Sequence, residues 1–358
     1  MKNFKEKERE RQTKLIQSGS PVFYGDEGGG WFMGRQGKQD RGFVLIERQN
    51  NLFEGIRNSA IKYFKENRIK WWGGKGHTPT GHVLSSQIAC INYLFAIRND
   101  KNTVLEMLNK ITKKSFTEVL KIDCDKDPAY ISFEVVSDVD HLNEKTSTRG
   151  SNCTSIDALI LAKHQNGEIW LIPIEWKYTE HYGNTDKSIE DSSRQSANYK
   201  KGDEAKGKER LNRYCYNEKD RLIDNSNQLK SLLDYKNSVY FFEPFYQLMR
   251  QTLWAEQLIL NKDEEPILKK YKEFVKEGNF LHIHVIPKEN DKLLKLSEKK
   301  YKCSGKDMKQ TWKNCLEDQS KYQIVDPTEI VDVIGQTNNY TSLAQYLIQR
   351  YNSQSTNK

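Results

Sequence analysis

The chain has 358 residues, of which 36% are hydrophobic and 30% charged, with 18 Tyr, 14 Phe and 7 Trp; this excludes a disordered polymer and describes a folded globular protein of one elaborated domain or two. Lys and Arg number 57 against 49 Asp and Glu, a net charge of +8, which favours a polyanionic partner such as nucleic acid. No apolar run approaches the roughly 18 residues of a membrane span, the first residues lack an apolar signal core, and the six cysteines show no metal-site spacing, so the expectation is a cytoplasmic protein with reduced thiols and no membrane association.

Residues 1–17 alternate in charge sign and predict a solvated helix without chemistry. The glycine-dense stretch 25–34 reads as a turn region, because it lacks the order and the preceding strand of a phosphate cradle. Leu52, Phe53, Ile56, Ala60, Ile61 and Phe64 recur at helical spacing and predict an amphipathic helix over 51–67. Residues 68–77 then set Trp71 and Trp72 among lysines and glycines, either as a packed pair or as an aromatic and basic surface that stacks on bases. Ser85 or Ser86 caps a helix through Ile88, Ile91, Leu94, Phe95 and Ile97, and a second helix is predicted from Thr103 to Lys114. Three strands follow: 128–137, with Ser132, Glu134 and Val136 on one face, then 155–163 and 168–178 around a turn near Gly167. From 179 to 237 the chain is polar, with a basic helix near Lys200 to Arg213. Pro244 opens a helix through Phe245, Leu248, Met249, Leu253, Trp254 and Leu258, and 280–287 reads as a buried strand. A lysine-rich stretch, a helix opened by Pro327 and Thr328, and a helix over 340–351 complete the chain.

Asp157, and Glu175 with Lys177 at the end of the apolar run from Ile169 to Ile174, carry the main chemical signal. Two carboxylates from neighbouring strands can hold a hard divalent cation through oxygen, and a lysine two residues after the second projects from the same strand face. Whether the acids meet depends on the turn. A two-residue turn at Asn166 and Gly167 puts Asp157 opposite Trp176 and turns Glu175 to the other face. A three-residue loop from Gln165 to a left-handed Gly167 instead pairs His164 with Glu168 and sets Asp157 directly across from Glu175, with Lys177 on their face. In that register the other face carries Ile156, Ala158, Ile160 and Ala162 with Trp170, Ile172, Ile174 and Trp176. A ribbon apolar on both sides belongs inside a sheet covered by helices, where charges are costly unless they are ligands or paired.

This arrangement resembles the PD-(D/E)XK, or restriction-endonuclease-like, nuclease superfamily, whose pattern is an Asp on one strand and Glu-x-Lys on the next. The resemblance covers residues 80–290, where helix, three strands, helix and strand follow in that family's order; Ile156 precedes Asp157 where the pattern has Pro. It implies an α/β restriction-endonuclease-like core with a central mixed β-sheet flanked by helices, between an N-terminal helical and loop extension over 1–79 and a C-terminal helical extension over 291–358. It also implies a Mg²⁺-dependent endonuclease, with Mn²⁺ as a substitute, cutting DNA in a restriction or defence setting in a poorly characterised bacterial branch. Asp157, Glu175 and the main-chain carbonyl of Trp176 are then the expected metal ligands, and Lys177 orients or deprotonates the attacking water. Glu134 is the candidate third carboxylate, the alternative being a solvent-exposed strand residue.

Gln247, Arg250 and Gln251 lie early in the helix after the hairpin, as phosphate contacts or as ordinary surface and capping groups; Gln247 and Gln251 share a face. His82 and Gln87 lead into the helix before the sheet and offer either a polar contact to the site or a plain helix start. Gln195 and Tyr199 match a Q-x-x-x-Y spacing found after Glu-x-Lys in some of these nucleases. His282 and His284 share a strand face but have no evident third ligand, so a structural role is expected. Three rivals stand beside the DNA nuclease: an inactive nucleic-acid-binding protein of the same fold using Arg68 to Lys75 and Lys200 to Arg213, an RNA-directed nuclease, and a structural salt-bridge cluster. A homodimer would suit double-strand cleavage.

Overall fold

The computed structural model describes residues 2–34, 37–145, 153–183, 185–189, 206–217, 220–296 and 307–351. Helix α1 (Phe4–Gln17) starts in a capping box between Asn3 and Glu6. It is not the solvated helix its charge pattern suggests, because Glu8, Gln12 and Ile16 form an inward stripe at i, i+4 and i+8. Glu8 accepts from the Tyr178 hydroxyl and from Arg11 Nε at 2.8 Å, and Gln12 donates to the Arg350 carbonyl at 2.7 Å, so the stripe is tied by hydrogen bonds to Tyr178 and Arg350, distant in the chain. A two-stranded hairpin of β1 (Trp31–Gly34) and β2 (Gly37–Asp40) precedes α2 (Arg57–Glu66), α3 (Ser86–Leu94) and α4 (Lys101–Thr112). Ser85 caps α3 by accepting from the Ile88 amide at 3.3 Å.

The main sheet comprises β3 (Phe116–Leu120), β4 (Ser132–Val135), β5 (Ile156–His164), β6 (Ile169–Trp176), β7 (Val275–Phe280), β8 (His282–Val285) and β9 (Tyr322–Val325). Around these strands run α5 (Lys206–Leu211), α6 (Phe245–Leu260), α7 (Pro266–Lys269), α8 (Asp291–Leu294), α9 (Met308–Asn314), α10 (Pro327–Gln336) and α11 (Thr341–Tyr351). Strands β3 and β4 share one side of β5, β6 lies antiparallel on the other, and β7, β8 and β9 continue in parallel. The sheet is therefore mixed. The edge strands β3 and β9 escaped the sequence reading because four or five residues are too short to show a period.

The β5–β6 register decides the site. Gly167 has φ +85°, His164 N–H donates to Glu168 O at 2.8 Å, and the ladder pairs Lys163 with Ile169 through to Ala158 with Ile174. One further step along it sets Asp157 across from Glu175, the outcome of the three-residue loop.

Successive residues of the ribbon enter different cores, as the pleat requires. Ala158, Ile160, Ala162, Ile172, Ile174 and Trp176 join one apolar cluster with α2, α3, α4, α10 and α11; Leu159, Leu161, Ile169 and Leu171 join a second with α6 and α9. The first cluster also takes in Val22, Phe23, Leu45, Leu52, Leu343 and Leu347, so both ends of the chain share a core with the sheet. Arg350 is fully buried there, donating to Asn51 O at 2.5 Å and to the Tyr346 hydroxyl.

The alternation breaks at the site. Phe133 and Ala158 belong to the first cluster, yet Val135 and Ile156, each two residues away, belong to the second. Between them stands Glu134 with a left-handed φ of +50°. This moves Ile156 off the face the regular pattern assigned to it. Among the described residues, no helix is long and apolar enough to cross a membrane.

Gly167→Val forces a β-branched side chain into the left-handed region, where the backbone penalty is about 1–2 kcal/mol. Nothing lies within 4 Å of the added Cβ, so a lowered denaturation midpoint in urea reads that penalty without a steric clash, and Gly167→Asn should retain most of the stability.

Candidate active site

A cleft of about 590 Å³ opens beside the broken end of the ribbon, lined by Glu134, Asp157, Glu175 and Lys177 from the sheet, Gln247 from α6, and residues 70–73 and 84–87 from the loop and start of α3. Asp157 Oδ2 accepts from the Trp176 amide at 2.7 Å. Among the described residues nothing donates to its Oδ1. Glu175 is almost fully buried, and both its oxygens are engaged: Oε1 accepts from Lys177 Nζ and from Gln247 Nε2 at 2.8 Å, and Oε2 accepts from Gln251 Nε2. Lys177 Nζ also donates to Gln247 Oε1 at 2.7 Å. Glu134 is the only described strand residue outside glycine with a left-handed backbone, a conformation that costs about 1–3 kcal/mol and clusters at functional sites. It is buried, not solvent-exposed, and accepts from Gln87 Nε2 at 2.7 Å and Ser155 Oγ at 3.1 Å.

The electrostatics follow from crowding. Burial, then Glu175, then Glu134 push the Asp157 carboxyl well above the ordinary range, against the weaker opposing pull of Lys177 and the Trp176 amide. For Lys177, burial by itself would lower the amine, but Glu175, Tyr182, Asp157 and Glu180 outweigh it and hold it well above the usual lysine value. Lys177 is thus a cation and a donor. Among the described residues no group of three or more His, Cys, Asp or Glu makes a ready metal cage.

A family model described as Restriction Endonuclease associating with ARP matches residues 23–352. The chain belongs to this family. No match was found among curated proteins or solved structures. Membership identifies the mixed sheet with its flanking helices as a restriction-endonuclease-like fold, and points to a nuclease whose substrate is nucleic acid.

In this restriction-endonuclease-like chain the other expected residues separate. Gln247 and Gln251 meet Glu175 from one face of α6. Arg250 points elsewhere: its Nε donates to Glu144 at 3.0 Å and to Thr154 Oγ1 at 3.2 Å, in a network that includes the Tyr214 hydroxyl. Gln87 lines the cleft, whereas His82 packs against Phe32, Phe43 and Trp72 outside it, its pKa pushed down to about 4 by burial and then by Lys5, Arg41 and Arg9. His282 and His284 are buried in β8, and burial, then Lys177, lowers both. His284 Nδ1 lies 2.9 Å from the Tyr322 hydroxyl, and its residue pairs with Glu175 across parallel strands. Gln195 and Tyr199 lie outside the described residues, as do 200–205 of the basic segment. Ser155 and Glu180 were missed: their only signal was nearness in sequence to Asp157 and Lys177.

A carboxyl raised in the folded state binds a proton that the unfolded chain releases near pH 4, so its contribution to stability is present at low pH and lost as pH rises through the folded value. Asp157→Asn removes the repelling charge and keeps an acceptor for the Trp176 amide. The metal-free variant should melt above wild type near neutral pH and converge with it below about pH 4; a lower melting temperature at neutral pH would instead mark Asp157 as half of a stabilising ion pair.

Proposed function

We propose that this protein is a divalent-metal-dependent endonuclease that hydrolyses phosphodiester bonds of DNA, with Asp157, Glu175 and Lys177 as its catalytic residues. The observation that carries the reading is the convergence of these three side chains, with Glu134, on one cleft at the end of a buried ribbon. The donor chemistry suits a hard cation: carboxylate oxygens outnumber the neighbouring cations, one oxygen of Asp157 lacks a donor among the described residues, and Asp157 is raised by burial and by neighbouring charges that a divalent ion would offset. Asp157, Glu175 and the Trp176 carbonyl would hold Mg²⁺, or Mn²⁺ in its place, with Glu134 within the same cleft as a further carboxylate. Such an ion polarises the phosphoryl oxygen and stabilises the charge that develops there.

The chain's own residues account for the rest of the chemistry. Lys177, kept cationic and fixed by Gln247, donates to the attacking water or to a non-bridging phosphate oxygen and so orients the nucleophile. Its hydrogen bonds to Glu175 and Gln247 fix the amine for orienting or deprotonating that water. Gln247 and Gln251 hold Glu175 in position from α6, and Gln87 holds Glu134 from α3. A second reading, a nucleic-acid-binding protein without catalysis, draws on the full engagement of Glu175 by Lys177, Gln247 and Gln251.

Incubating the purified chain with plasmid and single-stranded DNA, with and without Mg²⁺, separates these readings. Cleavage should require the metal and fall at least about 100-fold in both Asp157→Ala and Lys177→Ala. Undiminished cutting by folded Asp157→Ala rules out the assignment, and salt-sensitive binding without cleavage in Mg²⁺ or Mn²⁺ supports the inactive binder.

A further inference from the structure

The two tryptophans of the loop after α2 have opposite environments. Trp71 is buried and stacks on Phe64 with ring centroids 3.7 Å apart and planes at 10°. Trp72 is 54% exposed and lines the carboxylate cleft. It is also held in place: its amide donates to Gln87 Oε1 at 2.9 Å, and its ring packs on Phe32 at 5.5 Å and on His82 at 5.7 Å. Gln87 in turn donates to Lys70 O at 3.2 Å and to Glu134 at 2.7 Å, so one side chain fastens both the tryptophan and a carboxylate of the cleft. The next residue, Gly73, has φ +61°, and a Cβ there would meet the Phe32 ring at 2.7 Å. In the same loop Arg68, Lys70 and Lys75 are exposed, Lys70 lining the cleft with Trp72, and residues 68–77 contain no acid.

We infer that Trp72 is a stacking platform for an unpaired base adjacent to the scissile phosphate, with Arg68, Lys70 and Lys75 following the flanking backbone, so that the site prefers single-stranded or locally opened DNA. The inference rests on the nuclease reading of the same cleft. The physical argument concerns access to the base face. In a duplex that face is covered by neighbouring base pairs, and only a single strand, an end or an extruded nucleotide can present it to an exposed ring. An indole packed on Phe32 and His82, with its main chain held by Gln87, gives up little conformational entropy when a base stacks on it. Lys70 lines the same cleft as the carboxylates, and Arg68 and Lys75 are exposed in the loop that carries the ring, so this loop offers cations to the phosphates that flank a stacked base.

The test is the affinity of the full chain for a thymidine oligonucleotide and for a blunt duplex of equal length, measured without divalent metal for wild type, Trp72→Ala and Trp72→Phe. Melting curves confirm that each variant is folded. Trp72→Ala should weaken single-strand binding roughly 5- to 150-fold and lower the ratio of single-strand to duplex affinity with it. Trp72→Phe should restore most of that ratio, and the oligonucleotide should quench more fluorescence in wild type than in Trp72→Phe. An unchanged ratio in Trp72→Ala overturns the proposal, as does a wild type that binds the duplex alone; a changed oligomeric state with intact single-strand affinity assigns Trp72 to a protein contact and overturns it too. A parallel Mg²⁺ cleavage assay of wild type reads the nuclease assignment separately, since stacking and cutting fail independently.

Discussion

A single left-handed glycine at the turn between β5 and β6 constrains everything else. With Gly167 at φ +85° the loop holds one residue more than a tight two-residue turn, and strand pairing is quantised, so that residue decides which side chains share a face. With the register set, Asp157 and Glu175 meet at the far end of the ribbon and Lys177 follows on the same side. A slip of one position would leave the same sequence and similar burial with its acids on opposite faces of the sheet.

The site exists against the local preferences of the fold. Four carboxylates, Glu134, Asp157, Glu175 and Glu180, share a cleft with Lys177, Glu134 takes a backbone conformation that a strand residue avoids, and the in-out alternation fails on both strands at that point. The crowded carboxylates and the left-handed Glu134 each cost stability in holding charges close together. The surrounding elements make this tolerable. Helix α6 brings Gln247 and Gln251 to Glu175, and α3 brings Gln87 to Glu134, so the neutral amides satisfy oxygens without cancelling charge. Had lysines or arginines stood in those positions, the cleft would be balanced and would have little electrostatic demand for a cation.

Partners for buried polar groups also explain the edges of the architecture. The charged helix α1 is docked because Glu8 and Gln12 find Tyr178 and the C-terminal backbone, and α11 is tied down by Arg350 on Asn51. The Tyr178 that receives α1 follows directly after Lys177. Both chain ends therefore pack close to the strand that carries the candidate chemistry. Arg250 shows the same rule in reverse: its helix position allowed a phosphate contact, but Glu144 and Thr154 engage it on another face.

Much of the core and of the site was legible because it depends on local periods and on one turn. The strands around Asp157 and Glu175, the cap of α3, the start of α10 at Pro327, and the pairing of Gln247 with Gln251 all follow from spacing within a few residues. The short edge strands β3 and β9, the inward stripe of α1, the turn of Glu134 into the cleft and the split between Trp71 and Trp72 were not legible. The edge strands are too short to show a period, and the other features depend on atoms contributed by other segments of the chain. Sequence by itself determined which acids and which amine could face one another, since pleat and turn length are short-range geometry. Only the tertiary structure decided their protonation and reach, because burial, like-charge crowding and the exposed ring at the lip are sums over neighbours that no linear spacing records.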